Sequence, residues 1–303
     1  MKEVELYGGR PDPEHDDSEA SSTADMISAF IRELLSVESL RMSVPAMVSL
    51  RHLTSLPSLR ILGIQGLPAA LETSVLEDEP RFVLLRHLSI RGSSGIPLVT
   101  RFIQMCSDSN LESLVLGGFS YHIPLFFKPL LEELANSQYS SLKTLTTDGS
   151  QDVNYCHHDV VGPEDIFTVE VLLPIFRFGN LVEIELCSQF GYDLDDGAMD
   201  QMAQAWPAIQ RLELREVYHV YLTAVKKPRA TLRSLQSFAH HCPHLETLRV
   251  EFNAQVVPSV EDASFSNPRM QVLEVKSSPI LEPEPVLIAL HRWDFPKVAG
   301  AGF

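Results

Sequence analysis

Apolar residues recur along this chain in one short spacing, Leu-x-x-Leu-x-Leu, clearest at Leu111, Leu114 and Leu116 and again at Ile209, Leu212 and Leu214. The same spacing marks Leu59/Leu62/Ile64, Leu85/Leu88/Ile90, Leu142/Leu145/Thr147, Leu181/Ile184/Leu186, Leu245/Leu248/Val250 and Met270/Leu273/Val275, with a weaker copy at Val37/Leu40/Met42. The last two apolar positions of each phrase stand two residues apart, so a strand carrying them turns both to one side and their neighbours to the other. Successive phrases begin 22 to 39 residues apart, room in most units for a strand and a returning helix. Such recurrence predicts units that bury their apolar side only against one another.

The segments between phrases predict the helices. Asp25 precedes Met26, Ile27, Phe30, Ile31, Leu34 and Leu35, whose spacing suits a cap helix over about 25–36 with Asp25 at its N-cap. Leu50 to Leu67 carries its leucines so densely that this unit is expected to hold little or no helix, only a turn at Pro57. Pro97 suits a first helical turn, with Phe102, Ile103 and Cys106 on the apolar face, and Pro129 predicts a helix start or a kink. Asp195 or Asp196 can cap a helix that faces inward with Met199, Met202, Ala203 and Trp206, and Leu232, Leu235, Phe238 and Ala239 repeat the arrangement. Leu287, Ile288, Trp293 and Phe295 suit a C-terminal cap over about 284–303. Residues 1–24 are acidic and rich in Gly, Pro and Ser, which predicts a disordered tail ahead of one domain over 25–303. The expected fold is α/β: a leucine-rich-repeat solenoid, or horseshoe, with a parallel concave sheet and convex helices of irregular length.

Charge narrows the partners. The chain of 303 residues has a formal net charge of -16, and its one dense basic cluster is Lys226, Lys227 and Arg229. An acidic body repels a phosphate backbone, so no nucleic acid is expected. No apolar run reaches the roughly 20 residues of a membrane helix, and no cationic leader precedes an apolar stretch, so neither a membrane anchor nor secretion is expected. The expected location is cytoplasmic or nuclear. Cys106, Cys156, Cys187 and Cys242 lack a CxxC pair and suit free thiols in a reducing compartment.

Units such as SLPSLRILGI, NLESLVL, AWPAIQRLEL and HHCPHLETLRV, with the closing DFPKV, resemble the leucine-rich-repeat region of fungal F-box-like proteins of the basidiomycete type. The resemblance runs from about residue 26 to the end. It implies a substrate-recognition module of an F-box-type ubiquitin ligase. The helical Leu-Pro-x-Glu-Leu opening of an F-box has no counterpart in MISAFIRELLSVESL, so a Skp-type adaptor and cullin are implied as partners only if an F-box lies outside this chain. The alternative is a structural or regulatory repeat scaffold without ubiquitin-ligase contact.

Candidate chemistry is thin. Cys156, His157, His158 and Asp159 are zinc-ligand types, but adjacent residues rarely point at one ion; His240, His241, Cys242 and His244 flank a helix-to-strand handover. Asp193, Asp195, Asp196 and Gly197 suggest a calcium loop, yet the glycine comes one position early and the twelfth position is Gln204, so helix capping fits better. With no phosphate-binding glycine loop or nucleophile elbow, the chain is read as non-enzymatic, without cofactor or metal. The remaining surface is the concave sheet, which is expected to bind a protein or peptide. Its open-face residues are small and nearly neutral in the first half and densely charged in the second. The expected protein-binding residues are His87, Arg91, Arg211, Glu213, Arg215, Arg249 and Glu251, since arginine forks suit partner carboxylates. The competing expectation is a ladder of mutual pairs, Glu183 with Arg211, Glu213 with Arg249 and Arg249 with Glu274.

Overall fold

The computed structural model describes residues 3–6, 26, 29–43, 45, 47–68, 71, 81–92, 95–119, 124–137, 139–149, 162–188, 190–216, 228–255 and 267–274. Among the described residues the chain is α/β, with a sheet of ten parallel strands, a second sheet of two and short helices, and it divides into two compact units. The first comprises Met1–Ser120 with Glu132–Leu142, the second Tyr121–Leu131 with Lys143–Phe303. Among the described residues, no helix is long and apolar enough to cross a membrane.

The first unit carries five parallel strands in chain order: β1 (Glu3–Leu6), β2 (Ser39–Ser43), β3 (Ile61–Gln65), β4 (His87–Arg91) and β5 (Ser113–Phe119). β1 is a departure from the tail expected over 1–24. Val4 is buried, Glu3 to Leu6 pair with Ser39 to Met42, and the strand gains a ladder that its polar surroundings did not announce. Residues 7–24, and Asp25 with its proposed cap, lie outside the described residues. Residues 29–33 are helical, and Ile31, Leu34 and Val37 are buried. The unit around Leu50 does hold a helix, α1 (Met47–Thr54), which corrects the turn-only expectation: Leu50 and Leu53 form its buried face. α2 (Ile96–Met105) starts with Pro97 in its first turn and buries Phe102 and Ile103, with Cys106 buried at its C-cap, as their spacing predicts; Val99 is buried with them.

The apolar phrases of β3, β4 and β5 recur every 26 residues, and the strands pair in matching register, Leu62 with Leu88 and Leu88 with Leu114. Just beyond them Gly66, Gly92 and Gly118 all take positive φ, at 91°, 117° and 76°. They stack. A Cβ on Gly118 would sit 2.6 Å from the Gly92 nitrogen, and one on Gly92 would sit 3.1 Å from the Gly66 nitrogen. Only glycine meets both demands, the left-handed backbone and the close approach.

The second unit has strands β6 (Thr144–Gly149), β8 (Glu183–Ser188), β10 (Arg211–Glu216), β11 (Thr247–Arg249) and β12 (Val272–Glu274), adjacent in that order and parallel. A two-stranded sheet joins β7 (Phe167–Thr168) to β9 (Tyr192–Asp193). The apolar residues of the phrases from Leu145 to Leu273 are buried, and Thr147 is buried with them. Its hydroxyl accepts a hydrogen bond from the Cys187 N–H at 2.8 Å, which accounts for a threonine at a leucine position. α3 (Pro124–Asn136) contains Pro129 in its interior, and α4 (Val169–Leu172) leads into a 3-10 turn over Leu173–Arg177.

α5 (Asp196–Ala205) and α6 (Ser234–His241) pack against each other. Asp195 is the N-cap of α5, accepting from the Ala198 N–H at 2.9 Å. Asp196 instead reaches the start of the next helix. It accepts from the Thr231 N–H, the Thr231 hydroxyl and the Ser234 hydroxyl at 2.7, 2.8 and 2.5 Å. Trp206 is fully buried and its indole N–H lies 3.3 Å from the Ile175 carbonyl. The C-terminal cap expected over 284–303, and the loop with Cys156, His157, His158 and Asp159, lie outside the described residues, as do Lys226 and Lys227.

Candidate functional site

The leucine-type positions point inward, so the intervening positions of each strand form the open face, arranged in rows by the register. In the first unit one row reads Arg41, Gly63, Ser89, Val115. Beside it run Ile61, His87, Ser113 on one side and Gln65, Arg91, Gly117 on the other. Two adjacent positions in the middle row are therefore nearly side-chain-free, flanked by longer residues. The result is a depression of about 610 Å³ across β2 to β5. Ile61 is exposed there, a large apolar side chain left at the rim.

Among the described residues no acidic side chain lines this depression, although Glu5 is the register partner of Arg41 at its edge strand. Arg41 and Arg91 line it, together with His87. Arg41 pairs with Glu5 at 3.1 Å, both side chains being about half exposed. An exposed pair of this kind is worth roughly 0 to 1 kcal/mol, so it is exchangeable for another carboxylate. Arg41 belongs to the weakest phrase and was not expected at the site; its position between Leu40 and Met42 was the available signal.

The second unit's face is built differently. Its middle row reads Thr146, Glu185, Glu213, Arg249, Glu274, bordered by Glu183 and Arg211 on one side and Cys187 and Arg215 on the other. All three expected mutual pairs are present: Arg211 with Glu183 at 3.5 Å, Arg249 with Glu213 at 3.2 Å and Arg249 with Glu274 at 2.9 Å. Arg211 also contacts Glu213 at 2.6 Å, and Arg215 pairs with Glu185. Glu213 is thereby fully buried beneath two guanidinium groups. A carboxylate out of contact with water is tolerable because both oxygens face cations. The contacts from Glu213 Oε1 and Arg249 Nε are close in distance but lie off the hydrogen-bond axis.

Thus His87 and Arg91 line the large depression, while Arg211 and Arg249 are engaged with Glu213 and Arg215 with Glu185. Glu251 lines a small hollow of about 80 Å³ with Arg215, Glu216 and Arg249. No family model matches the chain, and no curated protein matches it either.

Glu216 sits at the end of β10, and burial followed by the neighbouring Glu251 charge pushes its carboxyl up to about 7. Tyr192, on β9, donates its hydroxyl to the Leu186 carbonyl at 2.7 Å and is held well above its ordinary range by burial.

The other chemistry singled out in the sequence does not converge. The Cys242 thiol turns into the core toward the Ala203 and Trp206 carbonyls, at 3.4 and 3.6 Å, and burial pushes it up to about 12. His241 approaches Asp200 at 3.9 Å, while His244 Nδ1 meets Arg269 at 2.9 Å, so the neighbouring histidines serve separate partners. Asp193 pairs with Arg229 at 2.7 Å, Asp195 caps a helix and Asp196 binds the next helix start, which disperses the calcium-like acids. Among the described residues, no group of three or more His, Cys, Asp or Glu can hold a metal ion. Cys106, Cys187 and Cys242 are buried free thiols, as their lack of pairing predicts.

Proposed function

We propose that the chain is a leucine-rich-repeat interaction module that takes a protein or peptide segment on the open face of β2 to β5. The leucine phrases, their 26-residue recurrence and the parallel register in each unit support a repeat horseshoe. The observation that carries the binding reading is the depression over Gly63 and Ser89, whose volume lies within the range that suits small ligands and short peptide anchors. By resemblance to fungal F-box-like proteins, the segment bound is a substrate of a ubiquitin ligase, and the location cytoplasmic or nuclear. The self-paired face of the second unit supports the alternative of a repeat scaffold without ligase contact, because those charges stabilise the sheet itself.

Affinity purification of the full chain beside its Gly63→Leu variant tests the binding reading. A partner recovered with the parent and depleted about tenfold with the variant, equivalent to ~1.4 kcal/mol, is the expected result. Equal recovery would sink it. A Skp-type adaptor and cullin in the same eluates favours the ligase role, and their consistent absence favours the scaffold.

A further inference from the structure

We propose that the Glu216 side chain is a proton-operated latch: its neutral form lies closed over Gly191, and its charged form turns out to water and frees the small sheet of β7 and β9. These residues all belong to the second unit, so the device is separate from the binding face proposed above. Glu216 ends β10 and is the register partner of Ser188 on β8, which sets the two side chains on one side of the sheet. A Cβ built on Gly191 would sit 3.3 Å from Glu216 Oε2 and 3.5 Å from its Cδ, so the carboxyl lies directly against this glycine, whose φ is 81°. Beneath it are the bonds that hold β9. The Gly191 carbonyl accepts from the buried Ser188 hydroxyl at 2.9 Å and from the Phe167 N–H of β7 at 3.2 Å. The Tyr192 hydroxyl donates to the Leu186 carbonyl at 2.7 Å, and its ring lies 5.6 Å from that of Phe167. A carboxyl that leaves this place admits water to those bonds.

Glu216 also lacks a counter-charge. Among the described residues no cation or hydrogen-bond donor reaches its carboxyl. The cations nearby hold other acids. On β10 itself Arg215 pairs with Glu185, and on β11 Arg249 meets Glu213 at 3.2 Å and Glu274 of β12 at 2.9 Å. Glu251, just past β11, brings a second carboxylate to the same hollow of about 80 Å³. From β9 and β8 come Tyr192 and the Cys187 thiol, and neither supplies a positive charge. A half-buried carboxyl in such company favours its neutral form or a move to water. Burial, and then the Glu251 charge, accordingly push Glu216 up to about 7, whereas burial keeps Tyr192 neutral well above its ordinary range. The latch is thus closed in acid and opens as pH rises through about 7.

Hydrogen exchange of the Phe167 amide, whose acceptor is the Gly191 carbonyl, tests this by NMR on the full chain at pH 6 and pH 8, each rate being divided by the intrinsic rate at that pH. The parent should lose about fivefold in protection at this amide from pH 6 to pH 8, while the amides of β4 in the first unit keep theirs. Glu216→Gln, which stays neutral, should keep the acid-side protection at both pH values, and this separates Glu216 from the histidines of α6. Glu251→Gln should shrink the loss, because Glu216 then gives up its proton at lower pH. Equal protection of the parent at the two pH values, an undiminished loss in Glu216→Gln, or a loss of the same size in β4 would overturn the latch. Should Glu216→Gln not fold, Glu251→Gln decides, and a loss as large as the parent's overturns it.

Discussion

The two units use the same strand pattern and arrive at opposite surfaces. In the first, the middle row of the open face runs Arg41, Gly63, Ser89, Val115 beside about 610 Å³ of hollow; in the second, Glu185, Glu213, Arg249 and Glu274 fill the equivalent row, and the hollow lined by Arg249 and Glu274 holds about 80 Å³. Strands in one sheet stand about 4.8 Å apart, so complementary long side chains in neighbouring strands reach each other before they reach a visitor. Density of charge on a sheet face is therefore a poor guide to a binding surface. Missing side chains are a better one.

The largest way to break this contrast is to strip the cover from Glu213. The Arg211→Ala/Arg249→Ala double variant leaves a buried carboxylate without cations and should lose about 3 kcal/mol in urea unfolding followed by circular dichroism. A loss under roughly 1 kcal/mol would mean that these charges do not stabilise the sheet and stand open to a partner.

Next in size is a substitution that separates the two kinds of glycine in the first unit. Gly118→Ala puts a Cβ at positive φ and 2.6 Å from the Gly92 nitrogen, and should cost about 2 kcal/mol or more. Gly63→Ala, at an ordinary φ, should cost under about 1 kcal/mol in the same assay, in keeping with a glycine kept for space. Equal costs at the two positions would remove that distinction.

A smaller effect follows from Glu216. Its carboxyl, half-buried and beside the Glu251 charge, keeps its proton up to about 7 in the folded protein, against an ordinary value of 4.5. The folded chain therefore binds the extra proton between these two values. This contribution is complete below pH 4.5 and is lost as pH rises to about 7. Glu216→Gln should flatten that decline by about 1 kcal/mol, a figure reduced for solvent at a part-exposed group, and thermal melts at pH 5 and 8 measure it. The smallest effect belongs to the first unit: Arg41→Ala should cost under about 0.5 kcal/mol in urea, its pair with Glu5 being exposed.

Much of the core was legible in the residues. The leucine phrases report burial directly, and even the weak copy at Val37, Leu40 and Met42 is buried, the last two on β2. The three cross-strand pairs were legible too, because register follows from aligning the phrases. The hollow was not, since glycine and serine read as featureless until the register sets them side by side. Asp196 was ambiguous for a related reason: its partners Thr231 and Ser234 lie 35 and 38 residues away, beyond any local pattern. Nor did the helix Met47–Thr54 show through, because its leucines at 50 and 53 suit a strand phrase as well as a helical face.

The buried thiols have a consequence in time. Alkylating reagents attack the thiolate, and Cys106 in the first unit and Cys242 in the second are both shut from water and held in the protonated form by burial. Each can react at neutral pH only while its own surroundings are open. The rate at which either is labelled is thus a clock for the breathing of one half of the molecule, and the two clocks need not keep the same time.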